Sequence, residues 1–275
     1  MRWGDGDEAT LRLLWPLHRG RIGRIARIMG KSPGAISGKS RVLGLQFQHS
    51  EKKPLAEDHP AVVDGRTVFP SRVTPADLNV LKSGGNQRKL GGKVTKGRWK
   101  GFPIYSLTLE ERATCPHTCR QWKSCYGNNM QWAIRYQHGP DLERALAREL
   151  AALQRRHPRG FVVRLHILGD FYSIPYVHFW GDALEEFPAL NIFGYTHHQL
   201  GRRMGDAVAA VRAEFRDRFC VRHSDAYSGY RTGVIQEASQ AGDRIICPAQ
   251  TGRTANCGTC GLCWGTKRPI AFLAH

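Results

Sequence analysis

All eight cysteines of this 275-residue chain lie at or beyond position 115, and seven of them fall into two short groups. Group one is Cys115-x3-Cys119-x5-Cys125. Group two is Cys247-Pro248 followed by Cys257-x2-Cys260-x2-Cys263. The N-terminal stretch MRWGDGDEATLRLLW has neither the apolar segment nor the small-residue cleavage site of a secretion signal. The thiols are therefore expected to be reduced, in a cytoplasmic protein, and their close spacing reads as metal ligation rather than disulfides. Three thiolates on one loop can hold three irons of a [4Fe–4S] cluster and leave the fourth iron for an exogenous ligand. Zinc prefers four protein ligands, commonly with Cys-x2-Cys spacing; His117 could complete such a site at group one, although it stands only two residues from Cys115. Four thiolates at group two suit iron–sulfur or zinc, with Gly258 and Gly261 letting the loop wrap the metal. One or two [4Fe–4S] clusters are expected, with zinc as the alternative. Cys220 sits in an apolar run and reads as a core residue.

From residue 102 onward, apolar β-branched runs alternate with helical patterns. Strands are expected at 102–109, 161–168, 191–195, 219–222, 245–247 and 270–273. Helices are expected within 130–157 and at 175–187, 201–215 and 233–241. This alternation implies an α/β fold with a parallel sheet, and five or six β/α units imply a partial barrel. Such folds place chemistry at the C-terminal ends of their strands. Here those ends are polar: Gly169-Asp170, then Tyr195-Thr196-His197-His198, then Arg222-His223. Asp170, His198 and His223 are the catalytic candidates. Gly169, Asp170, Tyr195 and Thr196 are the cofactor-binding candidates.

The first 45 residues read as three short helices. Leu11, Leu13, Leu14 and Leu17 form one apolar face, and Ile22, Ile25, Ala26 and Ile28 a second. Gly30 ends the second helix, and Ser32-Pro33 starts the third, over 33–43, with Ile36, Val42 and Leu43 inward. A tight second turn makes this an all-α helix-turn-helix whose last helix fits a major groove. Ser37, Lys39, Ser40 and Arg41 are its expected DNA-facing residues. The net charge of +18 favours a polyanionic partner. It is concentrated early, with 20 Lys and Arg against 8 Asp and Glu in residues 1–100. Residues 46–100, with four prolines and a Gly-rich basic run from Lys82 to Lys100, read as a linker before a domain at 101–275. No apolar run is long enough to cross a membrane.

Three resemblances add to this. Trp3, Leu11, Leu14, Trp15, Ile22, Ile25-Ala26, Met29-Gly30 and Gly38-Lys39-Ser40-Arg41-Val42-Leu43-Gly44-Leu45 resemble the N-terminal domain of the GcrA family of bacterial cell-cycle regulators, which implies DNA binding through the third helix. A three-cysteine loop after the first strand of a partial barrel resembles the radical S-adenosylmethionine superfamily. The gap of five before Cys125, and Leu168-Gly169-Asp170 in place of Gly-Gly-Glu, depart from its pattern. That resemblance implies S-adenosylmethionine as cofactor, its amino group held by Asp170. Closer is the phage gene product 88 family. The shared pieces are Cys115-Pro116, Cys125-Tyr126-Gly127, Arg164-x-His166-x-x-Gly169-Asp170-Phe171-Tyr172-Ser173, Tyr195-Thr196, Cys247-Pro248-Ala249-Gln250 and Cys257-x2-Cys260-x2-Cys263-Trp264, spanning 102–275. This implies a phage or prophage origin.

Two functions follow from the sequence. One is a radical-type iron–sulfur enzyme acting on nucleic acid or a nucleotide, directed to DNA by the helix-turn-helix. The other is a non-enzymatic transcriptional regulator with structural metal, whose partners are DNA and the host transcription machinery. A two-metal hydrolase is disfavoured, because no carboxylate cluster stands out.

Overall fold

The computed structural model describes residues 3–18, 21–45, 54–77, 79–224 and 230–274, and the side chain of Arg41 lies outside that description. The chain divides into two compact units, Met1–Lys53 and Pro54–Ala274.

The N-terminal unit holds α1 (Asp5–Leu17), α2 (Ile22–Ile28) and α3 (Pro33–Val42). Ser32 caps α3 through its hydroxyl, which accepts from Ala35 N at 3.2 Å. Leu11, Trp15, Ile25, Ala26 and Ile36 form the core. Leu11 and Trp15 are four residues apart and share a stripe. Leu13 and Leu17, expected inward, are two and six residues from Leu11 and turn away from it, so both are exposed. Val42, six residues from Ile36, is exposed for the same reason, and Ile28 is exposed as well.

The larger unit opens with α4 (Pro60–Val63) and β1 (Val73–Thr74). Then come β2 (Lys82–Ser83), β3 (Ile104–Ser106), β4 (Arg135–Tyr136), α5 (Pro140–Arg156), β5 (Phe161–Leu165), α6 (Ile174–Glu186) and β6 (Leu190–Thr196). The remainder is α7 (Arg203–Glu214), β7 (Phe219–Ser224), β8 (Arg231–Ile235), β9 (Ile245–Ile246), α8 (Cys257–Cys260), α9 (Leu262–Gly265) and β10 (Ile270–Leu273). Eight strands form one sheet in the order β2-β3-β5-β6-β7-β8-β10-β9, parallel except for β2 against β3. β1 and β4 pair separately. Among the described residues no helix is long and apolar enough to cross a membrane.

Strand residues alternate between two faces. Val163, Leu165, Ile192, Phe219 and Val221 share a core with α5, α6 and α7. Val162, Phe193, Cys220 and Ile270 on the other face pack against Leu90, Val94, Trp99, Cys263 and Trp264. The three long helices therefore lie on one face, as sequential crossovers of one hand require. The opposite face is covered by loops and by group two. Among the described residues three helix-linked crossovers are present instead of the expected five or six, because β8, β10 and β9 join without long helices. The segment expected as a helix at 233–241 is instead the end of β8 and a short turn, with Gly233 and Ile235 buried and Val234 exposed in strand alternation.

Residues 54–100 are not a linker. Val80, Leu81, Leu90, Val94 and Trp99 are buried. Val80 N and Leu81 N donate to the Glu149 carboxylate at 2.5 and 3.0 Å. Trp99 stacks on Trp264 with centroids 5.2 Å apart. The glycines that suggested flexibility are turn residues between these anchors.

Candidate metal centre

Group one leaves the sheet after β3 and is held by three consecutive charged residues, all buried. Glu110 accepts a two-pronged pair from Arg66, at 2.7 and 2.9 Å, and Thr67 N at 3.1 Å. Glu111 accepts from Arg135 Nε at 2.6 Å and Nη2 at 2.9 Å, and from the Thr67 hydroxyl at 2.8 Å. Arg135 also donates to the carbonyls of Gly127, Met130 and Ala133. Arg112 donates to the carbonyls of Trp122 and Arg66 and to Asn128 Oδ1. The loop carrying Cys115, Cys119 and Cys125 is thus fastened from below by ionic hydrogen bonds, which are roughly twice as strong as neutral ones.

The loop meets the end of β5. Asp170 N donates to Thr114 Oγ1 at 3.2 Å, next to Cys115. Gly169 has φ +83°, and a Cβ there would stand 2.5 Å from Thr114 Oγ1, so this close approach needs glycine. Asp170 is buried. Its Oδ1 accepts from Phe171 N at 2.8 Å and its Oδ2 from His197 N at 2.7 Å, tying the end of β5 to the end of β6. Burial raises its pKa, against the lowering effects of His198, these amides and the Thr196 hydroxyl. His197 also bonds Thr118 O through Nε2 at 3.0 Å, and His198 bonds Phe171 O at 2.7 Å. Gly169, Asp170, Thr196 and His198 are therefore brought together beside group one. Both Asp170 oxygens are already engaged by backbone amides, so this carboxylate shapes the rim.

His223 is placed elsewhere. It follows Phe219 and Val221 in alternation and faces the helices. Its Nε2 donates to Gly205 O at 3.1 Å, and its Nδ1 accepts from Arg212 at 2.8 Å. Burial, followed by the Arg212 charge, pushes its pKa down to about 4. Both ring nitrogens are used in joining β7 to α7, which corrects the catalytic expectation for this residue.

Group two covers the face opposite the three long helices. Cys247 follows β9 directly, its N donating to Ala271 O at 2.9 Å. Cys257 N donates to Lys89 O, and Gly258 N to Leu90 O. A Cβ at Gly258 would meet Lys93 O at 2.3 Å, so the segment docks here only as glycine. Tyr195, expected to touch a cofactor, instead has its hydroxyl 2.7 Å from Cys263 Sγ. Cys220 is buried in the core, as its apolar run implied.

None of the eight cysteines forms a disulfide. Burial pushes the Cys115 thiol well up, and the charges of Asp170, Cys119 and Cys125 add to this. Burial likewise raises Cys125 to about 11, Cys257 to about 12 and Cys263 to about 11. Cys257 feels Cys263, Cys247 and Cys260, so each group is one electrostatic cluster. Among the described residues, no three His, Cys, Asp or Glu side chains are close enough to share one ion. A tetrahedral zinc would need its sulfurs about 3.8 Å apart, from Zn–S bonds of about 2.3 Å. A cubane cluster binds each thiolate to a different iron. A polar cavity of about 480 Å³ opens beside Cys115, between Arg66, Glu110, His117 and His138.

Residues 79–209 match the family described as Gene product 88. The match contains group one and the ends of β5 and β6, and stops short of group two. Comparison with curated proteins and with solved structures gives no significant match.

In the N-terminal unit, α3 does not present the expected row. Ser40 lies four residues from Ile36 on the inward face, is buried, and donates to Ser37 O at 3.0 Å. Lys39 pairs with Glu8 at 2.5 Å and sits over the Trp3 ring. Ser37 is half-buried, and the Arg41 side chain lies outside the described residues.

Proposed function

We propose that the larger unit is a phage-type iron–sulfur protein resembling radical S-adenosylmethionine enzymes, acting on nucleic acid or a nucleotide to which the N-terminal unit directs it. One observation carries the reading. The group-one loop leaves the first strand of the parallel succession and packs against Gly169-Asp170 at the end of β5, with the Thr196-His197-His198 end of β6 alongside. This is the rim where parallel α/β folds assemble their sites. Cys115, Cys119 and Cys125 would hold three irons, and Cys247, Cys257, Cys260 and Cys263 a second centre. The donor set fits, because buried clustered thiols favour a soft metal that removes their protons. When bound, an open-iron cluster with S-adenosylmethionine supplies reductive cleavage of that cofactor to a radical. The polar cavity beside Cys115 gives a substrate access to group one. Anaerobic purification should yield about four irons per group, matching acid-labile sulfide and a broad visible absorption. Zinc alone, without sulfide or colour, would remove the radical reading.

A second reading, a DNA-binding regulator with structural metal, is favoured by α2. Arg21, Arg24 and Arg27 are exposed at a spacing of three, on one helix face. None pairs with an acid among the described residues, in contrast to Lys31 with Asp7 and Lys39 with Glu8. Phosphates would supply the missing partner. Substituting Arg24 and Arg27 with Gln should weaken duplex DNA binding uniformly across sequences. The slope of log K against log salt should shrink by about two, at roughly 0.9 per phosphate contact. Unchanged slopes in fluorescence anisotropy would place the contacts elsewhere.

A further inference from the structure

Between Asp77 and Glu110 the chain carries no acid, and between Glu149 and Asp170 it again carries none. Both stretches are basic, and both are folded. In the first, Leu90, Val94 and Trp99 are buried, which turns Arg88, Lys89, Lys93, Lys96 and Lys100 outward. In the second, at the end of α5, Arg155, Arg156 and Arg159 are exposed. Among the described residues none of these cations forms an ion pair. Arg98, in the same run, differs by pairing with Asp217. The dipole of α5 favours cations at Arg155 and Arg156, but the loop from Arg88 to Lys100 is not a helix end. Protein surfaces ordinarily intersperse both signs, and a field of one sign attracts a polyanion.

An open groove of about 620 Å³ joins the two stretches. Gly92, Lys93, Gly101 and Pro103 line it from the first and His157 from the second, with Thr259 of the group-two segment beside them. Ligand sites commonly have volumes of about 300–1,000 Å³. The first bank is held by its backbone. Val94 N donates to Phe102 O at 2.9 Å, Gly101 N to Val94 O at 2.8 Å and Ile104 N to Gly92 O at 3.0 Å. The His157 ring is fixed by the Tyr105 hydroxyl at 2.9 Å. Pro103 directly precedes β3, and His157 stands shortly before β5, so the groove lies at the N-terminal ends of these strands. Group one meets their C-terminal ends.

We propose that this groove seats single-stranded nucleic acid on the larger unit, with phosphates resting on Lys93, Lys96 and Lys100 and a base turned in beside His157. Cations on a fixed backbone meet a phosphate chain without the ordering cost that a flexible arm carries. A single strand can turn a base into a concave site, as strand-binding grooves require. A duplex keeps its bases stacked inside and offers this concavity only a convex backbone. A lipid surface fits less well, because neither stretch exposes a large apolar side chain for insertion. Since the groove and group one lie at opposite ends of the strands, the seat anchors a strand and takes no part in chemistry at group one.

The seat needs no metal and shares with the proposed function only a nucleic-acid partner. Full-length protein is titrated with a labelled oligothymidylate, and with a duplex of equal length, by fluorescence anisotropy over a range of salt. Lys93→Gln/Lys96→Gln/Lys100→Gln alters exposed side chains only and should leave the fold intact. It should weaken oligothymidylate binding at least about tenfold and reduce the slope of log K against log salt by about two, at roughly 0.7 per phosphate contact on a single strand. The duplex slope, assigned above to α2, should not move. Arg144→Gln/Arg148→Gln/Arg216→Gln removes the same charge from exposed positions elsewhere and should leave oligothymidylate binding unchanged. Equal losses in the two triple variants would reduce the effect to net charge. A duplex slope that falls in step with the single-strand slope, or sedimentation with phosphatidylserine vesicles that the lysine variant loses while its oligothymidylate binding stays, would put a different occupant on this surface. Each of these results overturns the inference and leaves the metal content and the Arg24 and Arg27 result standing. A parent protein that binds neither oligonucleotide would end both.

Discussion

A chain carrying Cys257→Ser and Cys260→Ser should lose the metal of group two and melt at least about 10 °C lower than the parent, with group one still loaded. The expectation follows from how little else holds this segment. α8 and α9 are four residues each, too short to persist by their own hydrogen bonds. Their fixed points include the Asn256 cap on Thr259 N, the Cys257 and Gly258 amides on Lys89 O and Leu90 O, the Trp99–Trp264 stack and the carbonyls gripped by Arg222. Bound structural metal supplies folding free energy of order 10 kcal/mol. Whole domains are stable by only about 5–15 kcal/mol. At about 2–4 °C per kcal/mol for a unit of this size, losing about half of the metal's contribution gives the stated drop. Cys220→Ser is the control, because Cys220 shares the same core cluster yet belongs to neither group. It should retain full metal content. Metal analysis beside a thermal melt reads both outcomes. A double variant that keeps its metal and melts like the parent would mean that these two cysteines are not ligands.

Spacing made the cysteine groups legible, and β-branched runs did the same for the strands from β5 to β7. What failed to show was whatever depends on partners distant in the chain. Trp99 sits among Gly and Lys in a stretch that reads as a linker, and only its stack on Trp264, 165 positions later, makes it core. Glu110, Glu111 and Arg112 are buried because Arg66 and Arg135 arrive from elsewhere to neutralise the acids. The run of three charges five residues before Cys115 was the available signal. Two misplacements could have been avoided from periodicity. His223 has the same strand parity as Phe219 and Val221, which fixes it on the helix face. Ser40 follows Ile36 by four and must share its inward stripe.

The other large effect is expected at Arg135, the buried base of the group-one loop. Arg135→Met should cost about 3–5 kcal/mol, because it leaves the Glu111 carboxylate buried without its cation. It also strips donors from the carbonyls of Gly127, Met130 and Ala133, which shape the chain just after Cys125. The loss should therefore appear as reduced metal at group one with group two unaffected. Glu111→Gln alone should be costly in the same way, leaving Arg135 with a weaker partner. The double variant Glu111→Gln/Arg135→Met should cost clearly less than the two single costs added together. With both charges gone, no orphaned ion remains in the core, and residues in direct contact are where additivity fails. Chemical denaturation of the four proteins, with iron measured on each, gives the cycle. If the single costs simply add, the pair is not a coupled buried ion pair, and the loop must take its shape from Glu110 and Arg112 instead.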